Sequence, residues 1–403
     1  MTDPTVYGAP WCPDCRRAKK FLAEHRVPYT FVDIDEDADG LAYVVERQNG
    51  GRTIPMIEFG DGTLLIEPGN DELATRLGLS LRAERSMYDL VIVGGGPAGL
   101  AAAIYAAREG IDAIVVDAGG LGGQAGITER VDNYPGFPDG IGGGELADRF
   151  IAQARRYGVE LLSAVAVDTI NREGADFSIM LGTGQELTAP AVLVATGSTY
   201  RRLGVPGEDD LIGAGVHFCA TCDGPFYRGA DELLVIGGGN SALEEGLFLA
   251  QFAGRITVAA RGHELRASRL LQDKVRHHPQ FTVKTGVDVV SMAGEGGRLT
   301  EVVLRDRASG TQEALHPRAA FVFIGLDPNS GFLGDLVERD EWGFVRTDDA
   351  FATSVPGLFC AGDVRAGATK QLGSAVGDGI AALIAIRSYL QRHHDVRRID
   401  VNA

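Results

Sequence analysis

An α/β fold built from several modules is what this sequence predicts, and three observations predict it. Two stretches read strand, glycine loop, helix, strand, around Gly94-Gly95-Gly96-Pro97-Ala98-Gly99 and Gly237-Gly238-Gly239-Asn240-Ser241-Ala242. The strand pattern resumes after the second stretch, at Gly357-Leu358-Phe359-Cys360-Ala361-Gly362-Asp363, so the second module is inserted into the first. Ahead of both, residues 1–80 alternate strands and helices with a complete pattern of their own.

A chain of 403 residues divides into two or three domains, each able to bury a core. Its 55 glycines gather in short motifs between apolar runs, which argues against disorder. With 38 basic and 55 acidic residues the net charge is −17, which argues against nucleic acid or an anionic membrane as partner. No apolar run approaches the ~18 residues of a membrane span, and the chain opens directly into Thr5-Val6-Tyr7 without a basic, apolar leader. A cytoplasmic protein is expected. The five cysteines form two C-x-x-C pairs plus Cys360. In a reducing compartment such pairs are redox-active or metal-binding. Zinc is the rival reading, but about 200 residues and a dinucleotide signature separate the pairs, and no metal site is expected.

Within residues 1–80, Thr5-Val6-Tyr7 leads into Cys12-Pro13-Asp14-Cys15, and Arg16 to His25 has helical spacing. Tyr29 to Ile34 reads as a strand, Leu41 to Asn49 as a helix, and Met56–Phe59 and Thr63–Ile66 as strands paired around Gly60-Asp61-Gly62; a helix from Asn70 to Leu77 closes the segment. Cys12 falls at a helix N-terminus, where the helix dipole and Arg16, Arg17 and Lys19 favour thiolate. Over its whole length this segment resembles a glutaredoxin-like domain of the thioredoxin fold. The resemblance makes Cys12 the nucleophile, Cys15 the resolving thiol and Pro55 the cis-proline. It departs at Asp14, often aromatic in relatives, and at Glu67-Pro68-Gly69-Asn70-Asp71, where a glutathione site would read Gly-Gly-x-x-Asp.

Residues 81–87 read as a polar linker. From Tyr88 the pattern is strand, glycine loop, helix from Leu100 to Glu109, then Ile114-Val115-Val116-Asp117. Glycines of this kind let a backbone approach a pyrophosphate at a helix N-terminus, and Asp117 can accept from a ribose hydroxyl. In the second copy Leu233–Ile236 is the first strand, Ser241–Gln251 the helix, and Ile256–Ala260 runs into Arg261 instead of an acid. Arginine there suits a 2′-phosphate. Two different dinucleotides follow: FAD in the first site, NADPH in the second. Val192–Ser198 is a further strand, passing through Ala195-Thr196-Gly197, and Ser374–Leu390 a C-terminal helix.

Between the two fingerprints lies Cys219-Ala220-Thr221-Cys222-Asp223-Gly224, a second thiol pair with an acid beside it. Such a pair closes a small ring: one thiol attacks a disulfide, the other displaces the product. With Gly122-Gly123-Gln124, Asn133-Tyr134-Pro135-Gly136 and Ala361-Gly362-Asp363, this makes residues 88 to about 395 closely resemble the bacterial-type, low-molecular-weight thioredoxin reductase family. The resemblance implies two Rossmann-like three-layer domains, an FAD domain (88–200 and 326–395) carrying an inserted NADPH domain (201–325). It also implies a homodimer and a rotation of the NADPH domain during turnover. By that match Cys222 faces the flavin, Cys219 attacks the outgoing disulfide and Asp223 is the general acid. Fingerprint and resemblance together assign FAD to Gly94, Gly96, Pro97, Ala98, Gly99, Asp117, Gly123, Gln124, Asn133, Ala195, Thr196, Gly197, Gly362, Asp363, Lys370, Gln371 and Leu372. They assign NADPH to Gly237, Gly239, Asn240, Ser241, Arg261 and Arg266. The family usually reads His-Arg-Arg where this chain has Ala260-Arg261-Gly262, so the preference for NADPH is expected to be smaller than the family's.

The function expected is an FAD-containing, NADPH-dependent disulfide reductase carrying its own acceptor, with electrons passing from NADPH to FAD, Cys219–Cys222, Cys12–Cys15 and an external disulfide. That disulfide is a thioredoxin-like protein, a peroxiredoxin or a low-molecular-weight disulfide. The order of parts is similar to the flavoprotein subunit of alkyl hydroperoxide reductase, which has two N-terminal thioredoxin folds where this chain has one. A flavin or dithiol oxidase and a non-enzymatic redox sensor are the other readings. Cys360 reads as packing behind the flavin strand, His217, two residues before Cys219, as a candidate proton donor, and His263, His277 and His278 as surface residues.

Overall fold

The computed structural model describes residues 3–128, 130–296 and 298–401, side chains to residue 393. The chain divides into two compact units: Met1–Arg130 with Tyr134–Ser198 and Pro328–Ala403, and Val131–Asn133 with Thr199–Asp327.

The first unit begins with a four-stranded sheet ordered Thr30–Asp33, Thr5–Gly8, Met56–Glu58, Leu64–Ile66, parallel at its first pairing and antiparallel at the others. Val6, Phe21, Leu22, Ile57 and Leu73 fill its core, packed by the helices Pro13–Glu24 and Asn70–Arg76. The first helix starts where the sequence says it should. Pro13 sits in the first turn, where its missing N–H costs nothing, and Cys12 is the N-cap. On the outer face the helix Ala38–Arg47 is capped by Asp37, which accepts from Asp39 and Gly40 N–H.

A five-stranded parallel sheet follows in the same unit, ordered Leu358–Cys360, Ala191–Val194, Leu90–Val93, Ala113–Val116, Glu160–Leu162. Four of these strands are buried throughout, as expected of a parallel sheet covered on both faces. Alternate side chains face opposite layers. Leu90, Ile92, Val115 and Leu193 pack on the helices Pro97–Arg108 and Leu372–Val401. Val91, Val93, Ile114 and Val192 pack on Phe177, Ile179 and Leu187 of an antiparallel sheet, Val167–Glu173, Asp176–Leu181, Glu186–Ala189.

Residues 81–87 are not a loose tether. Gln185 brackets Ala83, its Oε1 accepting from the backbone N–H at 2.8 Å and its Nε2 donating to the carbonyl at 3.0 Å; Arg85 grips Asp112 through both guanidinium nitrogens at 2.5 and 2.8 Å. The end of the helix Pro13–Glu24 also rests on the larger sheet's loops. Arg26 donates to the Leu121 carbonyl at 2.8 Å and pairs with Asp148 at 2.7 Å.

The second unit repeats the plan. Its parallel sheet is ordered Val216–His217, Ala319–Val322, Ala230–Ile236, Ala253–Ala260, Phe281–Thr285. The helices Asn240–Leu249 and Arg269–Arg276 cover one face, and the antiparallel strands Val287–Glu295, Arg298–Asp306 and Gln312–Leu315 cover the other. Among the described residues no helix is long and apolar enough to cross a membrane.

Candidate active site

In the first unit the predicted residues converge on the carboxyl edge of the five-stranded sheet, where strand order changes direction beside Leu90–Val93. Gly94, Asp117, Ala195 and Ala361 each directly follow one of its strands. Gly94 has φ +112°, and a Cβ there would meet the Ala195 carbonyl oxygen at 2.4 Å; at Gly99 it would meet the Gly94 carbonyl oxygen at 1.9 Å. Gly96 faces open space at the N-terminus of the helix that begins with Pro97 and Ala98. Gly123, with φ +56°, lies against Gly96, and Gln124 beside it is exposed. This is a tight backbone cradle at a helix N-terminus that has no side-chain cap among the described residues, which is what a pyrophosphate requires.

Asp117 has a role the sequence alone does not reveal. Its carboxylate accepts from Gly95 N–H at 2.6 Å and Gly119 N–H at 2.7 Å, so it shapes the glycine loop as well as facing it. Burial pushes its carboxyl up, and those two N–H groups oppose the shift. Thr196 and Asn329 exchange two hydrogen bonds at 2.7 and 2.8 Å, pinning the Ala195-Thr196-Gly197 turn, where Gly197 has φ +68°.

Asp363 Oδ1 is buried with no hydrogen-bond partner among the described residues, and burial pushes its carboxyl up. Lys370, in the left-handed region at φ +59°, donates to the Asp363 backbone carbonyl, and its ammonium lies 3.9 Å from the Phe344 ring centroid. Gln371 supplies the carbonyl that accepts from Ser374 Oγ at 2.8 Å and Ala375 N–H at 2.9 Å, opening the helix that starts at Leu372. An orphaned buried acceptor beside Gly362, together with the open glycine cradle, fits the hydroxyls and phosphates of a dinucleotide such as FAD. Cys360, at the end of the strand before it, is fully buried, and its thiol is pushed up by that burial.

The second unit places its own predicted residues on the carboxyl edge of its sheet. Gly237 has φ +150°, Gly239 faces open space, and Asn240 and Ser241 open the helix Asn240–Leu249. Asn240 Oδ1 accepts from Ser268 N–H at 2.8 Å, and the Gly238 carbonyl accepts from Arg266 N–H at 2.7 Å, tying the 261–268 loop to the fingerprint. Arg261 and Arg266 are exposed, with no ion pair to described residues, so both guanidinium groups are available to a 2′-phosphate.

Cys219 and Cys222 form a disulfide at this same edge. Cys219 caps the short helix Ala220–Asp223, its sulfur accepting from Cys222 N–H at 3.2 Å. Asn133 groups with this unit, its Nδ2 4.0 Å from Cys222 Sγ. Asp223 Oδ2 lies 3.4 Å from His217 Nδ1, and His217 Nε2 lies 2.6 Å from the Tyr227 hydroxyl. Glu245, from the neighbouring helix, has its carboxyl pushed up by burial, opposed by Ala220 N–H.

At the N-terminal site Cys12 and Cys15 are thiols. Cys12 Sγ accepts from Cys15 N–H at 3.2 Å and lies 3.8 Å from the Ile54 carbonyl, beside the cis Ile54–Pro55 bond. Burial and the Cys12 side chain push the Cys15 thiol up to about 12. Two of the three expected basic neighbours are engaged elsewhere. Arg17 is committed to Asp14 at 3.2 Å, to Asn70 at 3.0 Å and to the Pro68 carbonyl at 2.8 Å, while Lys19 sits 4.2 Å over the Phe31 ring. Exposed Arg16 and the helix N-terminus are the favourable neighbours left to the Cys12 sulfur. Exposed Trp11 stands next to it, its indole N–H held by Asp35 at 2.6 Å.

Residues 88–379 match the family model described as pyridine nucleotide-disulphide oxidoreductase, and residues 5–64 match the one described as glutaredoxin. The chain belongs to the pyridine nucleotide-disulphide oxidoreductase family. It is similar to the thioredoxin reductase of Treponema pallidum, 39% identical over 75% of this chain and 97% of the relative. It is likewise 36% identical to the thioredoxin reductase of Bacillus subtilis (strain 168), over 77% of this chain and 96% of the relative. The crystal structure of thioredoxin reductase from Streptococcus pyogenes MGAS5005 superposes with TM-score 0.72 at 36% identity, covering 76% of this chain and 99% of that one. This family member is therefore a thioredoxin-reductase-like oxidoreductase with a glutaredoxin domain at its N-terminus. Two features of its site were missed in the sequence. Pairing of His217 with Tyr227 and Asp223 depends on how a strand end meets a one-turn helix. The Arg26 contact links residues 95 positions apart in the chain, and no local pattern announces it.

Proposed function

We propose that this chain is an NADPH-dependent FAD flavoprotein that reduces Cys219–Cys222 and passes the electrons to Cys12–Cys15 and then to an external disulfide. The observation that carries it is the arrangement along two carboxyl sheet edges: an open glycine cradle with the buried Asp363 Oδ1, unpartnered among the described residues, in one unit, and a second cradle with two exposed arginines and a C-x-x-C disulfide in the other. Gly94, Gly96 and Gly123 would hold a pyrophosphate, Asp363 a polyol hydroxyl, and Arg261 and Arg266 a 2′-phosphate. FAD bound in the first cradle would supply the two-electron step between reduced nicotinamide and a disulfide. Residues 201–325 are in this reading the NADPH domain, and the working form is a homodimer in the cytoplasm.

The thiols then do the chemistry themselves. Cys219 attacks the Cys12–Cys15 disulfide, Cys222 displaces the mixed disulfide, and Asp223 moves the proton to the departing sulfur. Cys12 repeats the attack on the substrate and Cys15 resolves it. Substrate is a thioredoxin-like protein, a peroxiredoxin or a small disulfide. Anaerobic addition of NADPH should bleach the flavin, with colour returning when a disulfide from such a panel is added. Recovery with oxygen alone would point to an oxidase, and no bleaching with either pyridine nucleotide to a sensor.

A further inference from the structure

His217 ends the strand Val216–His217 and is 6% exposed. Its ring is walled by Phe321 and by Tyr227, with ring centroids 5.3 Å away in both cases. Each nitrogen faces an oxygen: Nε2 the Tyr227 hydroxyl at 2.6 Å, Nδ1 the Asp223 carboxylate at 3.4 Å. A carboxylate only accepts, so Nδ1 is the nitrogen that carries the proton; Nε2 then accepts from the phenol, which can donate. One tautomer satisfies the whole chain. A histidine serving only as core would need no such agreement, and Phe321 and Tyr227 would pack an apolar ring equally well.

We propose that His217 is a positioning residue for Asp223, and that Tyr227, His217 and Asp223 form a chain of contacts that keeps the carboxyl beside the Cys219–Cys222 pair while it moves their protons. This rests on the reading above, in which Asp223 serves the thiol exchange. The exchange balances as two thiols plus one disulfide giving one disulfide plus two thiols. Cys219 gives up its proton to Asp223 and forms a bond to one sulfur of the incoming disulfide, whose other sulfur leaves and takes that proton from Asp223. Cys222 then gives up its proton to Asp223 and bonds to Cys219, and the remaining substrate sulfur leaves and takes that proton from Asp223 in turn. Two electrons move to the substrate. Each attacking thiol thus reloads Asp223 between the two departures, and the Nδ1–H of His217 holds the carboxylate in place as it gains and loses that proton. The Tyr227 hydroxyl donates to Nε2 from the other side and so fixes the tautomer that presents Nδ1–H to Asp223.

The test uses the full-length holoenzyme and separates two steps: flavin bleaching by NADPH, and thiol release from an aromatic disulfide by enzyme reduced beforehand. Disulfide reduction by the wild type establishes the underlying reading; a wild type without that step overturns the reading and this proposal with it. His217→Phe should slow thiol release about tenfold, less than the ~100-fold expected for loss of a general acid, while bleaching keeps its rate. Its solvent deuterium isotope effect on thiol release should rise above that of the wild type, because proton delivery becomes limiting. Tyr227→Phe should move both quantities in the same direction, by about threefold in rate. Wild-type thiol release in His217→Phe, or an equal loss in both steps with no change in isotope effect, overturns the proposal. Should His217→Phe not fold, His217→Asn and Tyr227→Phe decide by the same two readouts.

Discussion

Cys15 and Cys12 stand one helical turn apart, yet their sulfurs are in opposite circumstances. A thiol pushed up to about 12 leaves roughly one thiolate in ten thousand at pH 8, so Cys15 cannot open an exchange. Cys12 keeps the N–H of the helix start. We expect iodoacetamide at pH 8 to alkylate Cys12 rapidly in Cys15→Ser, and Cys15 at least tenfold more slowly in Cys12→Ser. Comparable rates would remove Cys12 from the attacking role. Asp363 makes a second prediction. Burial raises its carboxyl, so the charge it carries at neutral pH destabilises the flavin-free fold. For such a group the stability present below the unfolded carboxylate pKa is lost as pH rises through the raised, folded one. Asp363→Asn should therefore raise the melting temperature of the flavin-free chain at pH 7–8, lose that advantage below about pH 4, and retain FAD more weakly. Thermal unfolding with and without added FAD, across that range, checks the sign.

At the scale of elements, the helix Pro13–Glu24 has a chemical end and a docking end. Its N-terminus holds Cys12; beyond its C-terminus Arg26 clasps Leu121 and Asp148, and the Glu24 carbonyl is so close to the 119–122 loop that a Cβ at Gly120 would stand 1.9 Å from it. Backbone cannot yield as a flexible side chain can, so Gly120→Ala should force the domain off the loop at a cost on the order of 1–3 kcal/mol. Arg26→Ala removes a half-exposed ion pair and a hydrogen bond to the Leu121 carbonyl and should cost about 1 kcal/mol. Faster proteolytic cleavage within residues 81–87, in that order of severity, would report the separation; unchanged cleavage in both variants would mean the contact does not hold the domain. Helices and strands were legible because their signals are local: Cys12-Pro13 as a start, apolar runs as buried strands, glycine loops at strand ends. The docking end was not, since Gly119-Gly120 reads as loop whether or not a helix rests on it. The polar segment 81–87 likewise reads as a linker whose stiffness no local pattern sets, and Gln185 and Asp112, distant in sequence, turn it into a strap. Arg17 and Lys19 show the converse, sequence neighbours of a thiol whose charges are spent elsewhere.

For the whole molecule, the resumption of strand pattern at Leu358 made the insertion of one unit into another readable, because a strand of the first sheet had to come from beyond the second. Sequence and structure leave one consequence of the fusion to be measured, namely whether the N-terminal thiols share electrons with the rest. A strapped linker keeps the domain on its own chain, so exchange between the pairs is an event within the assembly and independent of protein concentration. Transfer then depends on the two potentials lying close, since 30 mV already corresponds to about 1.4 kcal/mol for two electrons. With FAD and two thiol pairs each taking two electrons, anaerobic titration should consume about six per chain. Cys12→Ser should consume about four and lose NADPH-driven reduction of the native disulfide, while a small aromatic disulfide is still reduced at Cys219. The rate at which Cys12 and Cys15 become alkylatable after NADPH addition should stay constant over a hundredfold dilution. An uptake of four electrons by the unaltered chain, with Cys12 and Cys15 still oxidised, would place the N-terminal domain outside the relay and leave it a docking module.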